Sequence, residues 1–207
     1  MKSKFKAALF DLDGTLLDTE PQYTEFWSAM GRKYRPDLPD FNSRIKGTTL
    51  TQIYDLYIPE QYREEITAKL DTWESQMTYT LMPGAEEYIK HLRDDGMKTA
   101  LVTSSNDKKM LQVRRALPQF DSLFDVVLTS EDFTRSKPFP DCYLKAAEML
   151  DVQPYECLVF EDAFSGLQAA RDAGMYVVGL ATTNPREAIE DKCDKVIDNF
   201  SLLTIHF

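Results

Sequence analysis

The sequence predicts an α/β fold, a Rossmann-like parallel sheet core with an inserted all-helical cap domain. Three observations predict it. From residue 83 onward, short apolar runs alternate with helical stretches. One further apolar run stands alone near the N-terminus, and residues 17–82 after it hold no clear strand. Strands alternating with helices of this length read as βαβ units, which build parallel sheets. The 207 residues suffice for one compact domain and a smaller insertion. The expected division is a core of residues 1–16 and 83–207 and a cap of residues 17–82.

The first expected strand is Ala7–Phe10. In the cap, Tyr23, Phe26, Trp27, Met30 and Tyr34 keep to one helical face. Leu50, Ile53, Tyr54 and Tyr57 form a second face, and Ile66, Leu70, Trp73 and Met77 a third. Pro36 and Pro39 separate the first helix from the second, and Pro59 starts the third. The aromatic stripe reads as the cap's own core. After it, the expected strands are Thr99–Val102, Val126–Leu128, Cys157–Phe160, Tyr176–Leu180 and Val196–Ile197. The expected helices are Ala85–Arg93, Lys108–Leu117, Asp141–Leu150 and Ser165–Ala173, with Gly96, Gly174 and Gly179 as punctuation.

Twenty-four Lys and Arg against 34 Asp and Glu leave a net charge of −10. That balance argues against nucleic acid or an anionic membrane as partner. An anionic substrate would need a local positive field inside the site. No run approaches the ~20 apolar residues of a membrane span. Met1–Lys6 is basic, but the apolar stretch after it ends at Asp11, so no signal peptide is expected. Cys142, Cys157 and Cys193 form no CxxC and no cluster with His, so structural zinc is not expected and a reducing cytoplasm fits. His91 and His206 fall near no motif and read as surface residues.

The strongest chemical signal is Asp11-Leu12-Asp13-Gly14-Thr15-Leu16, directly after the first strand. In an open parallel sheet, ligands sit beyond the carboxyl ends of strands. Gly14 permits the turn that lets both aspartates face one crevice. Two carboxylates that close need a cation, or one must hold a proton. A hard divalent ion with oxygen ligands, Mg²⁺ in particular, suits them. So does a division of labour between a nucleophile and an acid–base.

DLDGTL resembles the first signature of the haloacid dehalogenase superfamily, mostly phosphatases and phosphotransferases. Three further stretches in order, each tied to a strand end, match its other signatures: Thr103-Ser104-Ser105-Asn106, Lys137-Pro138-Phe139-Pro140-Asp141 and Glu161-Asp162. Met82-Pro83-Gly84-Ala85 matches the return from the cap. The cap's place, between the first two signatures, is similar to the helical-cap subclass that includes β-phosphoglucomutase. The resemblance implies that Asp11 attacks phosphorus while Asp13 serves as acid and then base. It implies Mg²⁺ on the Asp11 carboxylate, the Asp13 carbonyl and Asp162, with Glu161 holding a metal-bound water. Thr103, Ser104 and Lys137 would hold the phosphoryl group. Ser105 and Asn106 also read as helix N-caps, as does Asp141.

The expected activity is Mg²⁺-dependent hydrolysis of a small phosphorylated metabolite by a monomeric cytoplasmic enzyme. Lys46, in Ile45-Lys46-Gly47-Thr48, is a candidate cap contact to the leaving group, and Tyr23 is another. Where the mutase has a histidine this chain has Tyr23, and where it has a phosphate-gripping arginine this chain has Leu50. Both departures favour a phosphatase over a β-phosphoglucomutase-type mutase. A catalytically silent phosphate-binding module is the third reading.

Overall fold

A computed structural model describes residues 4–201 of the chain; His206 lies outside them. Among the described residues the strands are β1 (Ala7–Phe10), β2 (Lys98–Val102), β3 (Val126–Leu128), β4 (Cys157–Glu161), β5 (Tyr176–Leu180) and β6 (Lys195–Ile197). They form one parallel sheet in the order β3-β2-β1-β4-β5-β6. Period-2 alternation splits the strand residues between two apolar layers. Ala8, Phe10, Leu101, Leu158 and Phe160 face α5 (Ala85–Asp94) and α6 (Asp107–Ala116). Ala7, Leu9, Val102, Cys157 and Val159 face α7 (Asp141–Met149) and α8 (Phe164–Asp172). Sheets covered on both faces read as near-continuous apolar runs, which is why these strands stand out in the sequence. Phe10 stacks on Phe160 at 4.7 Å, and truncating so buried a ring to Ala would cost roughly 3–5 kcal/mol.

The strand order positions the site. The chain runs outward from β1 through β2 to β3, then returns to the opposite side of β1 as β4. The crevice of such a sheet lies at that reversal, beyond the carboxyl ends of β1 and β4. Asp11 follows β1, and Glu161 ends β4 with Asp162 next.

Between β1 and β2, the helices α1 (Glu20–Tyr34), α2 (Phe41–Ile45), α3 (Leu50–Tyr57) and α4 (Glu60–Gln76) share an apolar cluster. Phe26, Trp27, Phe41, Ile53, Ile66 and Leu70 lie buried in it. The short α2 has no counterpart in the periodicity, yet it seats Phe41 and Ile45 there. The chain enters and leaves this segment side by side. Leu17 bridges Leu81, Asp18 N donates to Thr80 O (2.9 Å), and Met82 N donates to Leu16 O (2.8 Å).

One local expectation is corrected. Asp141 does not cap its helix; Pro140 holds the N-cap position, and Asp141 is the first helical residue. Its carboxylate is engaged by Arg135 through two bonds of 2.9 Å. It still favours the helix as an acid in the first turn.

Candidate active site

A cavity of about 240 Å³ opens between the strand ends and the helical segment. Asp11, Asp13, Thr103, Ser104 and Asp162 line it from the sheet side, and Tyr23, Lys46 and Leu50 from the helical side. Lys137 and Glu161 lie beneath Asp11, almost wholly buried.

The Lys137 Nζ donates to Asp11 Oδ1 (2.6 Å), Glu161 Oε1 (2.5 Å) and Val102 O (3.2 Å). Burial pulls this ammonium down, but Asp11 and Glu161 outweigh it and hold the group well above the usual lysine value. Asp11 is pushed up to about 7 by burial and then by Glu161, against the pull of Lys137. Glu161 is saturated: Oε1 also accepts from the Tyr143 hydroxyl (2.9 Å), and Oε2 from the N–H groups of Asp162 (3.0 Å) and Ala163 (3.1 Å).

Asp162 is only half satisfied. Its Oδ1 accepts from the Thr15 hydroxyl (2.8 Å), whereas its Oδ2 is buried with no hydrogen-bond partner among the described residues. Burial first, then Glu161 and Asp11, raise its pKa well above the carboxylate range. One oxygen from each of Asp11, Glu161 and Asp162 lies within 4.8 Å of the others. A buried, unpartnered carboxylate oxygen beside two further acids is what a divalent cation would satisfy. Gly14 makes room for it: its φ is +77°, and a Cβ there would stand 2.2 Å from Asp162 Oδ2.

Asp13 turns its carboxylate away from that group. Oδ1 accepts from the Thr19 hydroxyl (2.5 Å) and from Lys109 Nζ; Oδ2 accepts from the Ser105 hydroxyl (2.8 Å). Burial pushes Asp13 up, but Lys109 and these hydroxyls prevail and hold it below the usual range. Thr103 Oγ1 accepts from Ser105 N (3.0 Å) and borders the cavity. Asn106 caps α6 as expected, taking Lys109 N at 2.9 Å, while Ser105 serves Asp13 instead.

A family model described as haloacid dehalogenase-like hydrolase matches residues 5–174. The chain belongs to that family. It is 30% identical over 195 residues to the validoxylamine A 7'-phosphate phosphatase of Streptomyces hygroscopicus subsp. limoneus, covering 90% of this chain and 91% of the relative. It is likewise 30% identical to the β-phosphoglucomutase of Bacillus subtilis, covering 87% and 85%. A family IA, variant 3 hydrolase of the same superfamily from Entamoeba histolytica superposes with a TM-score of 0.80 at 25% identity, covering 97% of this chain and 96% of that one.

This haloacid dehalogenase-like hydrolase also recruits residues that motif reading does not reveal. Lys109 is 2% exposed and lies 4.4 Å from the centre of the Tyr23 ring. Tyr23 donates its hydroxyl to Glu74 (2.8 Å), and Lys46 pairs with Glu20 (3.2 Å). Thr15, Thr19 and Tyr143 complete the polar shell. One available signal was Lys109 itself, a cation in the first turn of a helix, where the dipole disfavours it unless an acid answers.

Proposed function

We propose that this chain is a Mg²⁺-dependent phosphatase that hydrolyses small phosphate monoesters, sugar phosphates or similar, through an aspartyl-phosphate on Asp11. The observation that carries the reading is the unpartnered Asp162 oxygen beside Asp11, with Lys137 fixed below both. Asp11, Asp162 and the Asp13 carbonyl would hold the ion, with Glu161 behind them. When bound, it supplies positive charge against the acids and the phosphoryl oxygens.

The chain's own groups carry the steps. The Asp11 carboxylate attacks phosphorus as the ester P–O bond breaks, and Asp13 gives its proton to the departing alkoxide. Water then attacks the same phosphorus, the Asp11–phosphorus bond breaks, and Asp13 takes the water's proton. The sum is ester plus water to alcohol plus phosphate. In the resting protein Lys109, Thr19 and Ser105 favour the Asp13 carboxylate, the base form. A phosphate dianion arriving alongside raises its proton affinity and so favours the acid form. Lys137, the Thr103 hydroxyl and the Ser104 N–H stabilise charge on the transferring group.

Residues 17–82 act as a cap over these groups. Its Tyr23 is spent on Glu74, and Leu50 offers nothing to a second phosphate, which supports hydrolysis over transfer. The mutase reading draws on the similarity to β-phosphoglucomutase. The three cysteines are free and buried, which fits the cytoplasm.

The test follows phosphate release from para-nitrophenyl phosphate and sugar monophosphates, with Mg²⁺ and with EDTA. Glucose 6-phosphate formation from β-glucose 1-phosphate, primed with glucose 1,6-bisphosphate, runs beside it. Mg²⁺-dependent release that exceeds isomerisation is expected. Isomerisation about tenfold faster than release, a preference of ~1.4 kcal/mol, would make the protein a mutase. No release from any ester would leave a silent binding module.

A further inference from the structure

We propose that the cap wall of this cavity selects a phosphate monoester whose alcohol is a neutral, hydroxyl-bearing group, and rejects a leaving group that carries a second anion. The inference rests on the phosphatase reading and deepens it.

The alcohol of any ester held at Asp11 must extend past Asp13 toward the helical wall, because β1 and β4 close the other end. Two carboxylates stand in that wall, Glu20 from α1 and Glu74 from α4. Glu74 is only 6% exposed. One of its oxygens takes the Tyr23 hydroxyl, and its other oxygen accepts no hydrogen bond from the described residues. Trp27, Ile53 and Leu70 give that wall an apolar part beside Glu74, and the neutral polar side chains of Asn42, Thr48, Thr49 and Thr51 line it too.

Two ammonium groups border the cavity, Lys46 and Lys109, and each is already committed. Lys109 serves Asp13, and Lys46 lies 3.2 Å from Glu20. A second phosphate or a carboxylate on the substrate would have to share Lys46 with Glu20, and would still face the Glu20 and Glu74 carboxylates on the same wall. Burial already raises the proton affinity of both Glu20 and Glu74, so a further anion acts against an existing strain. A neutral alcohol meets no such opposition. One of its hydroxyls can donate to the open Glu74 oxygen while its C–H face packs on Trp27 and Leu70.

The experiment compares kcat/KM within matched pairs in the Mg²⁺-loaded protein. Glycerol 3-phosphate is set against 3-phosphoglycerate, which differs by a carboxylate in place of a hydroxymethyl group. Glucose 1-phosphate is set against glucose 1,6-bisphosphate. The neutral member is expected to win each pair by about tenfold or more. In Glu74→Gln and Glu20→Gln, the advantage should shrink to about threefold or less. Anionic members cleaved as fast as neutral ones by the wild type would overturn the inference while leaving the phosphatase reading intact. So would an unchanged ratio in both variants. Absence of Mg²⁺-dependent release from every member would overturn both. If either variant fails to fold, the wild-type ratios and the other variant decide.

Discussion

Lys109 occupies a position that helix electrostatics alone disfavour, the third residue of α6 and almost fully buried. Asp13, 96 residues away in sequence, makes it tolerable, and Lys109 in turn keeps Asp13 ionised. Asp11 and Asp162 behave oppositely, because burial and then repulsion from Glu161 raise both. An acid with a raised folded pKa binds more protons folded than unfolded between the two values. Its contribution to stability is therefore complete below the ordinary carboxylate value and lost as pH rises through the folded one. For Asp11 that window runs from 3.8 to about 7. The metal-free protein should thus lose several degrees of Tm between about pH 5 and pH 8, and Mg²⁺ should restore more at the higher pH. Thermal melts with and without EDTA check this. A Tm independent of pH, or a Mg²⁺ effect equal at both ends, would contradict it. The motif residues Asp11, Asp13, Thr103, Glu161 and Asp162 were legible because each lies at or just past a strand end, and Lys137 because its Pro-Phe-Pro-Asp run leads into a helix. Lys109, Thr19 and Glu74 were not, since their partners are set by how helices dock on the sheet.

At the scale of elements, strand positions could be read closely, because β1, β3 and β5 are short apolar runs, β1 being closed off by Lys6 and Asp11. The helices of the insertion were legible as faces. Helix α2 was not, since five residues are too few to show a period. The loop after α2 and the start of α3 meet the core beside the strand ends. Ser104 and Ser165 donate their hydroxyls to Gly47 O at 3.3 and 3.1 Å, and Gln52 Nε2 reaches Lys137 O at 3.1 Å. Gly47 has a φ of +71°, and a Cβ there would stand 2.4 Å from Ser165 Oγ and 2.7 Å from Ala163 Cβ. Gly47→Ala should push this loop off the strand ends and lower kcat/KM by about tenfold or more. The fold should lose only about 1–2 kcal/mol, the cost of one left-handed residue. Steady-state kinetics beside a melt would show it; wild-type kcat/KM in the alanine variant would mean the loop does not need this approach.

Across the whole molecule, a net charge of −10 surrounds a cavity meant for an anion. The fold resolves this by setting Lys109 and Lys137 against Asp13 and Asp11 beside the strand ends, with Lys46 facing them from the helical side, and by leaving an acidic group suited to a divalent ion. No helix among the described residues is long and apolar enough to cross a membrane. The account turns on Asp11 as the atom that receives phosphorus. The most direct measurement is a single turnover with a ³²P-labelled phosphate monoester and Mg²⁺, acid-quenched and mapped by peptide, with Asp11→Asn alongside. Label is expected on the peptide that holds Asp11, declining as phosphate appears, and the asparagine variant should neither take up label nor release phosphate. Phosphate release by Asp11→Asn at close to the wild-type rate would contradict the account.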